Sequence, residues 1–417
     1  LLSDNERRRH IYLIGKTGTG KSSLLHNMMM ADFHAGRGFA FLDPHGTGAE
    51  QIINATPTTR TNDVLYLDPL DPSHVVGFNP LIRVPPLDRA ALADNIAALL
   101  KYIWADSWGV RLNYILTNAL RLLLEKRGTT LVNLSRVLID EEYRKRLLTH
   151  CTDGAITTYW KTEFMSYSPS YRAEAIGAVQ NKVGQFQNNP ILRAVFGQVS
   201  GAIHPYDIME HRRVLIADLS KRMGEEPSRI LGSLLTTAFS QAAERRRTIA
   251  EEKRQDFTLY LDEFQSFTSE SMGTILSEAR KWRLNLVLSH QFMDQIPESI
   301  QRAVIGNCGT LIVFRVGSFD TPILGKELGL PNPSTLSDTS NFQAWVKHLA
   351  SDTPSEALPV TMLPPQVPPE PRRGAVVARS RARHAKKRDD IERTLAPQLA
   401  YQLKKPKPKN KATSREW

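Results

Sequence analysis

Three short stretches carry residue types whose spacing suits phosphate chemistry. The first, "IYLIGKTGTGKSSLL" at residues 11–25, runs four apolar residues into a complete G-x-x-x-x-G-K-[ST] pattern at Gly15, Gly20, Lys21 and Ser22. Such a loop closes its backbone N–H groups around phosphate oxygens. Gly15, Gly18 and Gly20 are each expected to take φ > 0 and turn those N–H groups inward. Lys21 is positioned to reach the β- and γ-phosphates, the Ser22 hydroxyl to ligate Mg²⁺, and the helix that follows to add the positive end of its dipole. The candidate cradle is therefore Gly15, Lys16, Thr17, Gly18, Thr19, Gly20, Lys21, Ser22 and Ser23, and the expected ligands are ATP and Mg²⁺. By chance the pattern should arise in roughly 1–2% of chains of this length. The strand-like run Ile11–Ile14 before it and the helix-like run Ser23–Ala35 after it favour the functional reading.

The second stretch, "FTLYLDEFQSF" at residues 257–267, is an apolar strand ending in Asp262 and Glu263. In a parallel α/β sheet the carboxyl end of a strand is where ligands bind. Asp262 is expected to hold Mg²⁺ through its water shell, and Glu263 to orient and polarise the water that attacks a γ-phosphate. An apolar run followed by two acids is common, and it gains weight only beside a complete phosphate loop. The third stretch, "ILSEARKWRLNLVLSHQ" at residues 275–291, reads as a helix and then a strand ending at Gln291. An amide there could contact the γ-phosphate or the attacking water. Arg280, eleven residues earlier, reads on composition alone as an ordinary surface arginine.

The elements that must position these residues follow the rhythm of a parallel sheet with crossover helices. Further strand-like runs are Phe39–Leu42, Val64–Leu67, Val214–Leu219, Leu284–Leu288 and Leu311–Phe314. Between residues 84 and 207 the pattern turns helical, with Leu112, Ile115, Leu116, Ala119, Leu122 and Leu123 forming one apolar stripe that reads as core. The polar stretch "SYRAEAIGAVQNKVGQF" in this region reads as a solvated helix face. The expected architecture is an α/β P-loop, RecA-like core with a mainly parallel sheet, split into residues 1–83 and 208–352 by an α-helical insertion over 84–207. Residues 353–371 hold seven prolines and read as a linker, and 372–417 as a basic, disordered tail.

Charge and cysteine content narrow the class. Residues 371–417 carry 15 Lys and Arg against 4 Asp and Glu, the whole of the net charge of +11, so the preceding body is balanced. A basic tail on a neutral body fits non-specific contact with nucleic acid, with a merely solvating tail or an anionic surface as alternatives. No apolar run approaches the roughly 18–20 residues of a membrane helix. Only Cys151 and Cys308 occur, without the paired spacing of a zinc site. The expected location is the cytoplasm. The chain begins Leu-Leu without Met, as expected of a fragment, and an upstream membrane anchor at the cytoplasmic face of the inner membrane stays open.

Together, GKTGTGKSS, FLDPHG, LYLDEFQSF, SEARKWRLNLVLSHQ and LIVFRVGS resemble the HerA–FtsK superfamily of P-loop ATPases, and within it the TraG/TraD-like conjugative coupling proteins of type IV secretion. The similarity runs from about residue 10 to 350, and the DEFQ and SEAR…HQ pair is more specific than the phosphate loop. The resemblance implies a ring, usually a hexamer, with ATP between subunits and DNA, single or double stranded, in a central channel. Relaxase or secretion-channel proteins are implied as further partners. It makes Lys21 and Ser22 phosphate and metal ligands, Asp262 a metal support, Glu263 the water activator, Gln291 a sensor, and Arg280 an arginine finger reaching a neighbour's nucleotide, with Arg315 as runner-up. Two departures stand out. This chain reads DPHGTG at residues 43–48 where related sequences often carry DPHGD, which puts any role of the missing acid in doubt. The second is an expected absence of the N-terminal domain, the region that would separate a membrane-bound coupling protein from a HerA-like motor. The implied function is an ATP-driven DNA translocase. The rivals are a secretion ATPase that moves or unfolds protein, and a non-motor module locked by ATP.

Overall fold

The computed structural model describes residues 3–82, 84–269, 271–350, 353–365 and 370–400. Twelve strands lie among them: β1 (Ile11–Ile14), β2 (Gly38–Asp43), β3 (Val64–Leu67), β4 (His74–Val76), β5 (Val214–Asp218), β6 (Phe257–Leu261), β7 (Leu284–His290), β8 (Thr310–Val313), β9 (Gln343–Ala350), β10 (Thr353–Pro354), β11 (Leu358–Thr361) and β12 (Ala385–Lys387). Seven of them form a parallel sheet in the order β8-β1-β7-β6-β2-β5-β3. β9 adds antiparallel to β8, and β10 and β11 pair antiparallel with β9. The strand runs expected from apolar patterning fall within a residue or two of these bounds. Both faces are covered: Tyr12 and Ile14 pack into one core and Ile11 and Leu13 into the other. This alternation explains why the strands read as unbroken apolar runs.

Strand order positions the chemistry. β1, β7 and β6 are adjacent, with Ile14 opposite His290 and Leu261 opposite Leu288. The three motifs, far apart in sequence, therefore leave neighbouring strands at one carboxyl edge.

Residues 89–210 are helical. The helix Arg89–Ile103 packs on Val110–Glu125 and on Glu225–Glu244, and the stripe Leu112, Ile115, Leu116, Ala119, Leu122 and Leu123 is wholly buried. These side chains join the core on one sheet face rather than forming a separate one. In the helix Pro169–Val183, Ala175, Val179 and Val183 are buried while Ala173, Glu174 and Ala178 are exposed, in line with a solvated outer face.

The C-terminal region departs from its expected character. Within the stretch read as a linker, β10 and β11 pair on β9; Pro359 is accommodated because β11 is an exposed edge strand. The stretch read as a disordered tail is folded over residues 373–399, as helices Arg373–His384 and Arg388–Leu399 joined by β12, which pairs with β4. Four apolar side chains suffice: Val376 and Val377 enter one core, Ile391 and Leu395 the other. Polar contacts tie the stretch to the body: Arg381 pairs with Asp71 at 2.7 Å, Glu392 with Arg193 at 3.1 Å, and Arg388 donates to the carbonyls of Pro69 and Asp71. The Tyr66 N–H, on edge strand β3, donates to Ser380 Oγ at 2.9 Å. This belt covers an edge that would otherwise be left unpaired. The disorder expected for 401–417 falls outside the described residues.

Candidate functional site

The phosphate loop leaves β1 and enters the helix Lys21–His34, capped by Gly20 at φ 117°. Gly18 also lies at positive φ, 78°. Gly15 does not, contrary to expectation, and glycine is required there for another reason. A Cβ on Gly15 would come within 2.5 Å of Phe314 Cβ, so close approach of the segment that leaves β8 excludes any side chain. Lys21 is buried and its ammonium donates to the carbonyls of Gly15 at 2.5 Å and Lys16 at 3.1 Å, lying back along the loop where phosphate oxygens would replace those carbonyls. Burial lowers its pKa, and the carboxylates of Glu263 and Asp262 oppose that shift. Thr19, fully buried, donates to Lys16 O at 2.7 Å and stiffens the turn. Thr17, Gly18, Gly20, Lys21, Ser22 and Ser23 face a cleft of about 320 Å³ together with His45, Asp262, Glu263, Gln291 and Phe342.

Asp262 and Glu263 leave β6 on the other side of this cleft, both buried. Burial, with Asp43 and Glu263 adding repulsion, raises the Asp262 pKa to about 6. A buried carboxylate beside other acids, facing the exposed hydroxyl of Ser22, is a hard oxygen donor short of a cation. The pair Ser22 and Asp262 thus fits Mg²⁺ held mainly by water and phosphate. Glu263 sits at φ 46°, ψ 53°, the left-handed region, where its backbone turns out of the strand. Its carboxylate accepts from Gln291 Nε2 at 3.0 Å and from Gln265 Nε2 at 2.6 Å. Two amides therefore fix its orientation from opposite sides. Gln265 belongs to the DEFQ stretch, yet its contact with Glu263 was not anticipated.

Gln291 follows β7, as its position in the sequence implied, and touches Glu263 directly. Beneath it the buried His290 pairs through Nε2 with the Tyr12 hydroxyl, and burial with the nearby Lys21 charge holds its pKa down to about 3. The backbone carbonyl of His290 supports the loop, accepting from Gly15 N–H at 3.3 Å. Arg280 lies at the opposite end of β7, exposed, with no hydrogen bond or ion pair from its side chain among the described residues. The seven residues of β7 span roughly 23 Å, beyond the reach of an arginine toward its own chain's cleft. Arg315 stands instead beside its own phosphate loop: its carbonyl accepts from Lys16 N–H at 2.8 Å and its guanidinium donates to Asn341 at 2.8 Å.

The DPHGTG turn follows β2. Asp43 is buried and spent internally, accepting from His45 N–H at 2.8 Å and Ala49 N–H at 2.9 Å. His45 is exposed and lines the cleft. At Gly46, φ 82°, a Cβ would meet Asp218 Oδ1 at 2.6 Å, so this turn is pressed against the end of β5. Phe342, also in the cleft, belongs to no motif and is brought there by the approach to β9. A second cavity, of about 360 Å³, lies between the helical part and the core around Pro80, Tyr206 and Arg245, and has no phosphate loop.

Fold and site together define a P-loop nucleotide-binding fold of the mainly parallel type. Solved structures give the closer architecture. The chain is similar to the bacterial conjugative coupling protein TrwBdeltaN70 in its unbound form, with TM-score 0.66, 15% identity, and 88% of this chain and 87% of that one covered. It is also similar to the plasmid coupling protein TrwB in complex with ADP and Mg²⁺, at TM-score 0.64 and 16% identity over 90% and 89% of the two chains. VirB4 of Thermoanaerobacter pseudethanolicus matches at TM-score 0.55 and 11% identity over 85% and 89%. The fold is thus that of the solved conjugative coupling proteins, as the sequence motifs implied. No protein-family model and no curated sequence matches the chain. No helix among the described residues is long and apolar enough to cross a membrane.

Proposed function

We propose that this chain is an ATP-driven DNA translocase of the type IV secretion coupling kind, hydrolysing ATP at seams between like subunits. The observation that carries this reading is the convergence of Lys21, Asp262, Glu263 and Gln291 at one sheet edge, while Arg280 projects from the far edge. The site is chemically complete except for a cation opposite the γ-phosphate, and a second copy has one to offer.

In this mechanism the loop N–H groups and Lys21 hold the triphosphate. Ser22 and, through water, Asp262 would hold Mg²⁺, whose positive charge would offset that of the phosphates. Glu263, oriented by Gln291 and Gln265, accepts the proton of a water as its oxygen attacks the γ-phosphorus. The bond from that phosphorus to the β–γ bridging oxygen breaks, leaving ADP and phosphate. Loss of the γ-phosphate removes what Gln291 senses and frees the seam that Arg280 of a neighbour had closed; an arginine in that role is worth about 10³–10⁵ in rate. The movement is proposed to drive channel elements along a DNA backbone, a grip that is electrostatic and salt-sensitive.

TrwB has been seen with ATP and GTP analogues, and with ADP and Mg²⁺, which supports nucleotide use here. The test is steady-state hydrolysis with and without DNA, against an unfolded polypeptide at equal mass. DNA stimulation alone supports the proposal. Stimulation by polypeptide alone would transfer the protein to the class of protein-moving ATPases, and no turnover under any condition would leave an ATP-locked module.

A further inference from the structure

Phe342 lies against the start of the phosphate-loop helix in an unusual state. The residue is 47% exposed and its φ is 62°, a conformation that bulky L residues rarely adopt. Two backbone hydrogen bonds hold it there: its N–H donates to Thr19 O at 2.8 Å, and its O accepts from Met362 N–H at 2.7 Å. A Cβ added to Gly20 would come within 3.1 Å of Phe342 Cδ1, so the side chain lies against the helix cap while the half-exposed residue lines the cleft. One turn along the helix from Ser23, Asn27 Nδ2 donates to the carbonyls of Leu363 at 3.0 Å and Pro364 at 3.1 Å. The C-terminal segment is thus tied down on both sides of the position from which Phe342 projects. Strained backbone that its surroundings hold in place is a pointer to function.

Topology says which part of a ligand would meet this ring. The γ-phosphate end must face Glu263 and Gln291, which leave β6 and β7, on one side of β1. Phe342 immediately precedes β9, two strands from β1 on the other side. A triphosphate held with its γ end toward the carboxylates therefore directs its nucleoside end past Ser22 and Ser23 toward Phe342.

We propose that Phe342 is the platform on which the nucleobase stacks. The proposal rests on the reading of the loop as an ATP site. Stacking on an aromatic face is tolerant of base identity, so the ring supplies affinity common to ATP and GTP rather than a choice between them.

The test compares binding of MgATP and of inorganic tripolyphosphate, by calorimetry and displacement, to the full chain and its Phe342→Ala and Phe342→Tyr variants. Phe342→Ala should bind MgATP about 10- to 100-fold more weakly, with tripolyphosphate binding unchanged within about twofold. Phe342→Tyr should restore ATP affinity. In turnover the alanine variant should show a raised KM with kcat retained at saturation. The proposal is overturned if Phe342→Ala binds ATP like the parent, if ATP and tripolyphosphate are lost together (the ring then merely supports the loop), or if tyrosine fails to rescue. A parent chain that binds neither ligand would refute the ATP-site reading itself, a result separable from failure of the platform alone.

Discussion

Replacing Asp262 by Asn should stabilise the nucleotide-free protein while abolishing Mg²⁺-dependent turnover. The Asp262 carboxyl is 8% exposed and its pKa is raised from 3.8 to about 6 by burial, Asp43 and Glu263. Because the folded pKa lies above the unfolded one, the native state binds the proton more tightly, and stability is lost as pH rises from about 4 to 6. Fully developed at pH 7, the cost is about 3 kcal/mol, an upper bound because an asparagine amide also pays for burial. Urea unfolding at a series of pH values reads it directly. Asp262→Asn should exceed the parent at pH 7, with the gap shrinking steadily below pH 6 and nearly closed by pH 4. Saturating MgATP should stabilise the parent by more than the variant, since the metal compensates the carboxylate only where one exists. A variant less stable than the parent at pH 7, or a gap independent of pH, would refute the claim that an uncompensated charge is stored at this position.

Glu263→Gln keeps the side-chain shape and a hydrogen-bond acceptor for Gln291 but cannot take a proton; kcat should fall about 10²- to 10⁴-fold with ATP affinity retained, and a variant that loses binding instead would make Glu263 a structural residue. Leu395, buried in the belt, should cost about 2–5 kcal/mol when cut to Ala; an unchanged urea midpoint would mean that the belt does not contribute to the folded body. Residues 401–417 hold six Lys and Arg against one Glu. Truncation after residue 400 should flatten the dependence of DNA affinity on log salt without changing stability, and an unchanged slope would remove that segment from DNA contact.

The grouping of the candidate site residues in one cleft was more legible than the architecture of the C-terminus. Gly15–Ser23, Asp262, Glu263 and Gln291 were readable because phosphate-loop geometry demands particular residues at fixed local spacing, and the strand runs because both sheet faces are covered. The belt was not: in helices Arg373–His384 and Arg388–Leu399 a mere four apolar side chains are buried, and the surrounding arginines made the composition resemble an unfolded tail. Their partners, Asp71 and main-chain carbonyls on distant elements, carry no local signal, and neither does Arg193, which donates to Glu392 of the belt. Phe342 was invisible for the same reason, since its place in the cleft arises from a chain reversal before β9. Gly15 shows the converse: local pattern implies a positive φ there, whereas it is steric approach to Phe314 that excludes a side chain.

A cleft shared by two copies is the core of the account, and mixing two dead variants tests it most directly. Lys21→Ala lacks the phosphate cation and Arg280→Ala the cation offered to the neighbour, so each alone should turn over ATP at a small fraction of the parent rate. In equimolar mixed rings a productive seam needs an intact Lys21 facing an intact Arg280, so random assembly should restore about one quarter of parental turnover. No recovery where subunits demonstrably exchange, or full activity of Arg280→Ala by itself, would contradict the shared seam.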